Sequence, residues 1–144
     1  MFLLDANLLI ALGDANHPSR EAAKKWFLAH RSKGWATCPL TENAFLRIVG
    51  HAAYPKGPGS PEKASALLRA LTALPGHHFW PDEISLLDAK HFPSLPDASP
   101  PELTDIYLLA LAASRSAKFV TFDSRIRADI VKHGPSHLQI LRTT

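Results

Sequence analysis

The sequence predicts an α/β fold, built as a three-layer α/β/α sandwich around a mainly parallel central sheet. Two apolar runs, Phe2–Leu4 and Phe119–Phe122, each end directly before an aspartate and predict short buried strands. Helical patterns separate these runs from weaker strand candidates along the chain. Strands that alternate with helices favour parallel pairing, with helices covering both faces of the sheet.

The remaining elements follow from weaker patterns and from turn residues. The further strand candidates are Trp35–Cys38, His77–Trp80 and Leu138–Leu141. The predicted helices span about Asn7–Leu12, Ser19–His30, Leu40–His51, Pro61–Ala73, Ile84–His91, Pro101–Ser116 and Ser124–Lys132. With 144 residues the chain has the size of one domain, and we expect residues 1–144 to form it.

Composition and charge indicate a protein held together by packing, without a membrane segment. Hydrophobic residues make up 46% of the chain and charged residues 20%. Cys38 is the single cysteine, so no disulfide forms within the chain, and we expect a small core residue in a reducing cytoplasm. Asp5 and Asn7 interrupt the first apolar run, which argues against a signal peptide or a membrane span. The net charge of +3 is compatible with a polyanionic partner.

Aspartates follow both of the strongest strand candidates. Asp5 and Asp123 each come directly after an apolar strand and before a helical pattern. In a parallel sheet both lie at the carboxyl edge, where open α/β sheets bind ligands. Each aspartate is equally compatible with the role of N-cap for the following helix, and the sequence leaves both roles open.

Two helical patterns each direct an acidic residue towards the core. Glu42 precedes apolar residues at offsets of three, four and seven, and so does Asp105. The helix dipole stabilises a negative charge there by only about 0.3–1 kcal/mol, which does not offset the burial of several acids together. Either acid alone is also compatible with a position at the helix end where its side chain points inward but still contacts water.

A bound divalent cation accounts for these four acids together. Converging carboxylates repel one another, and Mg²⁺ or Mn²⁺ takes the oxygen ligands that they offer. Such an ion activates water and stabilises the leaving oxygen of a phosphodiester, which suits a basic protein that cuts nucleic acid. Asn7 follows Asp5 closely, where its amide can donate to a carboxylate or hold a metal-bound water; an N-cap is the alternative.

Segments along the chain resemble the PIN-domain ribonucleases, and among them the VapC-type toxins of bacterial toxin–antitoxin pairs. The matching segments occur in the order of that family: FLLDANLLIAL, CPLTENAFLRIV, LTDIYLLALAA and KFVTFDSRI. The resemblance covers essentially the whole chain and implies a PIN-like fold and a metal-dependent endoribonuclease. The proline-rich segment PSLPDASPPEL departs from the family pattern before the third acid, which changes the expected approach of the substrate.

The resemblance also implies roles for the acidic residues and their polar neighbours. It implies a catalytic quartet of Asp5, Glu42, Asp105 and Asp123. Asp5 and Asp105 are the implied ligands of Mg²⁺ or Mn²⁺, and Asp123 is expected to help hold a metal or its water. Glu42 is expected to polarise the attacking water or to hold a second ion. Supporting hydrogen bonds are expected from Asn7, Thr104 and Thr121.

The expected partners are RNA, an antitoxin and a second copy of the chain. Arg47 and Arg125 lie near acid-bearing elements and are candidates for phosphate contacts, although scattered surface cations are more often simply solvated. The resemblance implies a VapB-type antitoxin whose C-terminal segment wraps the protein, a homodimer, and an RNA product with a 5′-phosphate and a 3′-hydroxyl. The expected location is the cytoplasm, with no membrane partner.

Three other functions compete with this interpretation. A histidine-based, metal-independent ribonuclease would use some of the eight histidines, such as the pair His77 and His78. A phosphotransfer domain would use an aspartate at a strand end, but Asn7 stands where a second aspartate is usual and no lysine closes a later strand. A PIN-like fold that only binds nucleic acid or protein is the third alternative.

Overall fold

The computed structural model describes residues 1–143, so Thr144, the end of the predicted domain, lies outside the described residues. Its centre is a sheet of five strands, all parallel, in the order β3-β2-β1-β4-β5. Each of these strands was expected from the sequence, with ends that match or differ by one residue. The strands are β1 (Phe2–Leu4), β2 (Trp35–Thr37), β3 (His77–Phe79), β4 (Lys118–Thr121) and β5 (Leu138–Ile140).

Five α-helices connect the strands, close to five of the predicted helical segments. Their first turns carry the expected signals, because α4 begins with a proline after Ser60, whose hydroxyl accepts from the Lys63 N–H at 3.2 Å. Ser99 and Glu102 form a capping box in the short 3₁₀ turn that leads into α5. The helices are α1 (Ala6–Gly13), α2 (Arg20–His30), α3 (Pro39–Val49), α4 (Pro61–Thr72) and α5 (Leu103–Ser114).

Alternating strand residues separate two apolar cores, one on each face of the sheet. Phe2 and Leu4 pack with helices α1 to α4, whereas Leu3 faces α5 on the opposite side. In β4, Val120 belongs to the first core and Phe119 to the second. This arrangement confirms the predicted α/β/α sandwich with its parallel sheet.

Parallel pairing brings the carboxyl ends of the strands to one edge of the sheet. The register aligns Leu4 with Val120, and the Asp5 N–H donates to the Val120 carbonyl at 2.9 Å, just beyond the end of β1. Helix α5 runs from this edge towards the start of β4, so its first turn lies beside the strand ends. The sheet therefore positions the residues after β1, β2 and β4 next to the first turns of α3 and α5.

The predicted helix Ile84–His91 is wrong, because this segment forms turns. The side chains of Ser85 and Asp88 accept from the N–H groups of Leu87 and Lys90, at 3.1 and 2.9 Å. Such local bonds compete with helical hydrogen bonds, and Leu87, within the predicted helix, is 89% exposed.

The predicted helix Ser124–Lys132 is also wrong, since only Ala128–Ile130 forms a single 3₁₀ turn. The Asp123 carboxylate accepts from the Arg125 N–H at 2.9 Å and closes a local turn that no helix follows. Arg127 is bonded to Glu102 on a different segment, which holds the backbone in this open path.

No helix within residues 1–143 is long and apolar enough to cross a bilayer. Cys38, expected in the core, is fully buried beside Thr41.

Replacing Leu9 by alanine tests the core beneath α1. Leu9 is fully buried in the first core, so Leu9→Ala should lower the free energy of unfolding by about 2–5 kcal/mol. The matched control, Leu87→Ala, removes the same atoms from an exposed position and should change it by less than about 0.5 kcal/mol. Urea titration of both variants measures the two values, and equal losses would contradict this core.

Candidate active site

Asp5 is a buried carboxylate held by two partners just beyond the end of β1. Its side chain is only 8% exposed. Oδ1 accepts from the Ala6 N–H at 2.7 Å, which makes Asp5 the N-cap of α1, and Oδ2 accepts from the Thr121 hydroxyl at 2.6 Å. Burial nevertheless raises the pKa of Asp5, and these two hydrogen bonds only partly counter it. The capping role that the sequence left open therefore coexists with a position at the sheet edge.

Thr121, the last residue of β4, forms hydrogen bonds with three other residues at this edge of the sheet. While its buried hydroxyl donates to Asp5, its oxygen accepts from Asn7 Nδ2 and from the Asp123 N–H, both at 3.0 Å. The Asn7 carbonyl oxygen in turn accepts from the Phe122 N–H at 3.3 Å. The Asn7 amide thus donates to Thr121 rather than to a carboxylate, and it joins the start of α1 to the end of β4.

Asp105 lies in the first turn of α5 and is the electrostatically strained acid of the site. Burial, with the charges of Asp5 and Asp123, raises its pKa to about 6, while Arg125 lowers it. Asp123 has a cationic neighbour instead, since Arg125 Nε lies 3.1 Å from Asp123 Oδ1 and holds the pKa of Asp123 below its ordinary value. Because the charges of Asp5 and Asp123 both act on Asp105, these three acids form one electrostatic cluster.

Glu42 has a separate set of partners in the first turn of α3. Its Oε2 accepts from the hydroxyl of Thr37, the last residue of β2, at 2.6 Å. The same hydroxyl lies 2.7 Å from His77 Nε2 on the neighbouring strand β3. Thr37 and His77 were not expected at the site, although Thr37 ends β2 as Thr121 ends β4, and that parallel was readable in the sequence.

The remaining predicted residues lie at the surface around these acids. Thr104 is exposed one residue before Asp105, and Arg47 is exposed on α3, beyond Glu42. The side chain of Arg125 is 88% exposed while it contacts Asp123. Each of these groups is therefore accessible to a ligand from solvent.

A cavity of about 300 Å³ opens beside Asp105 and Asp123. On its rim, Arg127 forms a two-pronged ion pair with Glu102, at 2.6 and 2.8 Å, and also donates to the Asp97 carbonyl. Arg127 is the main reason that the pKa of Glu102 falls to about 2. These contacts join the proline-rich segment PSLPDASPPEL to the chain after β4. The same segment borders the cavity.

The donor set at this edge fits a hard divalent cation. Its ligands would be oxygen atoms of Asp5 and Asp105, whose pKa values are raised first by burial and then by the charges of neighbouring carboxylates, which a cation would offset. In the described part of the chain, no three His, Cys, Asp or Glu side chains form a ready-made metal cage. Mg²⁺ does not require one, because it is usually bound through one or two carboxylates and keeps several waters.

Removing the charge of Asp105 should stabilise the metal-free protein. The pKa of about 6 in the folded state lies above the ordinary 3.8, so folding favours the protonated form of Asp105. The charged carboxylate therefore lowers the free energy of unfolding, and this loss is complete above pH 6. In chelator, Asp105→Asn should therefore unfold at a higher urea concentration than the wild type at neutral pH. The difference should shrink as the pH falls through this window and vanish below it.

Urea titrations across this pH range measure the effect, with Asp129→Asn as the same chemical change at an exposed surface position. An Asp105→Asn variant less stable than the wild type at neutral pH would contradict the proposed electrostatic strain.

Comparison with known proteins places this geometry in a family. The sequence profile of the PIN domain matches residues 2–129. The chain is 41% identical over 124 residues to ribonuclease VapC44 of Mycobacterium tuberculosis strain H37Rv, covering 86% of this chain and 87% of that protein. It is 40% identical over 124 residues to ribonuclease VapC39 of the same strain, covering 86% and 89%. For ribonuclease VapC38 of that strain the identity is 39% over 127 residues, covering 88% and 87%.

A solved structure shares the fold over nearly the full length of both chains. The crystal structure of VapBC2 from Rickettsia felis, bound to a DNA fragment from its promoter, superposes with a TM-score of 0.61 and covers 98% of each chain. The identity is 12%, so this likeness concerns the fold alone, and it confirms the PIN-like sandwich expected from the sequence. The matched domain and the extent of the similarity to the VapC ribonucleases show that this chain belongs to the PIN-domain family, in its VapC group.

Proposed function

We propose that this protein is a metal-dependent endoribonuclease that acts as the toxin of a VapBC-type toxin–antitoxin pair. The observation that carries this proposal is the electrostatic cluster of Asp5, Asp105 and Asp123 at the carboxyl edge of the sheet. Such a cluster destabilises the metal-free fold. A bound cation that also binds a phosphodiester would offset this repulsion. The similarity to proteins named ribonuclease VapC supports RNA as the substrate.

The proposed cofactor is Mg²⁺ or Mn²⁺, bound by Asp5 and Asp105. When bound, such an ion lowers the pKa of water and neutralises charge on the phosphate. Thr121 and Asn7 keep the Asp5 carboxylate in one orientation, because Thr121 donates to Oδ2 and Asn7 holds Thr121. Asp123 would assist at the metal or its water once Arg125 moves aside.

Glu42 is the proposed residue that polarises the attacking water or holds a second ion. Thr37 occupies its Oε2 at 2.6 Å, so Oε1 is the oxygen left to accept a proton or a hydrogen bond from water. The side chain sits in the first turn of α3, where the helix dipole favours a negative charge. Cleavage by water activated in this way would leave a 5′-phosphate and a 3′-hydroxyl.

The proposed partners besides RNA are a cognate VapB-type antitoxin and a second copy of this chain, in the cytoplasm. The similarity to VapC proteins supports the antitoxin. The VapBC2 structure, which shares the fold of this chain, is a solved structure of such a pair.

Substitution of Asp5 tests the metal-dependent chemistry directly. Asp5→Asn keeps a hydrogen-bonding side chain but removes the charge that would bind the ion, so cleavage of labelled total RNA in Mg²⁺ or Mn²⁺ should fall by at least about 100-fold. Antitoxin binding should stay largely intact. Asp129→Asn is the matched control, an exposed aspartate outside the cluster, and should cleave like the wild type.

Other outcomes of that experiment identify the competing functions. Wild-type cleavage that persists in chelator and leaves a 2′,3′-cyclic phosphate would point to the histidines. Unchanged cleavage by Asp5→Asn would remove this cluster from the reaction, and the absence of cleavage under all conditions would favour a binding module.

Arg47 and Arg125 are the proposed phosphate contacts of the RNA. The double variant Arg47→Gln and Arg125→Gln should weaken RNA binding for all sequences alike and reduce the slope of log Kd against log salt by about 1–2. Binding to an uncut RNA analogue, titrated at several salt concentrations, measures this slope. Lys24→Gln on α2 is an exposed control, and an equal effect of that variant would show nonspecific charge instead.

A further inference from the structure

A buried hydroxyl at the end of β2 connects Glu42 to a histidine that the proposed reaction does not use. Thr37 is fully buried, and its Oγ1 lies 2.6 Å from Glu42 Oε2 and 2.7 Å from His77 Nε2. The three residues come from different elements, α3, β2 and β3, so tertiary structure assembles the group. Such short contacts on one buried hydroxyl constrain which atoms donate.

Counting donors gives this chain of hydrogen bonds one direction. A carboxylate only accepts, so the single O–H of Thr37 donates to Glu42. The Thr37 oxygen then has only lone pairs left for His77, and Nε2 of His77 must carry the hydrogen. The direction is the same for a neutral or a charged ring, because Nε2–H is present in both. In a chain of this kind each bond strengthens the next.

His77 is held in the position that this direction requires. Its ring contacts the fully buried Trp35, with ring centroids 4.8 Å apart. Burial lowers the pKa of His77, so the ring is neutral at neutral pH and the Nε2–H tautomer leaves Nδ1 unprotonated. The neighbouring His78 and Phe79 are exposed, so His77 is the inward-facing member of this end of β3.

We propose that His77, acting through Thr37, is a positioning residue that fixes the Glu42 carboxylate for the cleavage reaction. This inference rests on the proposed nuclease function and on the role of Glu42 in it. Thr37 holds Oε2 and prevents rotation of the carboxylate, which leaves Oε1 directed for water. The arrangement repeats on the other side of β1, where Thr121 holds Asp5 at the same 2.6 Å.

The test compares variants that break the chain with variants that preserve it. His77→Phe and Thr37→Val remove the donors while keeping size, and each should lower kcat by about 10- to 100-fold with little change in KM. His77→Gln places an amide N–H near the Nε2 position and Thr37→Ser keeps the hydroxyl, so both should recover most of kcat. His78→Phe is the matched control on the exposed neighbour and should behave like the wild type.

A double-variant cycle separates positioning from a structural effect. Glu42→Gln should lower kcat strongly, and adding His77→Phe to it should cost little more, because the histidine acts only through Glu42. Losses that multiply would overturn the proposal, as would wild-type kcat in His77→Phe. If Asp5→Asn lowers cleavage as expected while His77→Phe does not, only this inference fails; if Asp5→Asn is fully active, the proposed nuclease site itself fails.

Ring ¹⁵N chemical shifts provide a readout that does not depend on activity. In the metal-free wild type, His77 should show the Nε2–H tautomer, and Thr37→Val should shift the Nε2 signal while that of His78 stays in place. A dominant Nδ1–H tautomer in the wild type would overturn the proposed direction of the chain.

Discussion

The site depends on one constraint, that a carboxylate buried at a strand end must be hydrogen-bonded. Asp5 meets it through the Thr121 hydroxyl, which is itself held by Asn7 and by the backbone of Asp123. An unpartnered buried carboxylate would cost several kcal/mol or take up a proton. This small network ties the ends of β1 and β4 together, whereas Glu42 is held separately through Thr37.

The two apolar cores make this edge possible by stabilising the rest of the sheet. Leu4 and Val120 pack against one helical layer, and Leu3 and Phe119 against the other, directly behind the strand ends. The burial of Asp105, together with repulsion from Asp5 and Asp123, raises its pKa and is a local cost, which the buried apolar area offsets. Functional sites commonly hold such destabilising groups, since stability and activity make opposite demands on them.

Hydroxyl groups at two strand ends serve the same purpose on either side of β1. Thr121 orients Asp5, and Thr37 orients Glu42 with His77 behind it. A threonine at the end of a strand is well suited to this task, because its branched side chain is stiff and its hydroxyl both donates and accepts. The edge therefore has two supported carboxylates, and the loop clamped by Arg127 and Glu102 borders the cavity next to the acids of the cluster.

The sequence by itself determined the parallel sheet and the placement of Asp5 and Asp123, because strand runs, helix caps and strand-end acids are local patterns. It also indicated that Asp105 faces inward on its helix, and in the structure Asp105 is half-buried at the start of α5, just before the fully buried run Ile106–Ala112. It failed for the segments that begin near Ile84 and Ser124, where side-chain bonds to the backbone overrode helical periodicity. Only the tertiary structure decided which donors meet which acids, since contacts such as that of Thr37 with His77 join residues far apart in the chain.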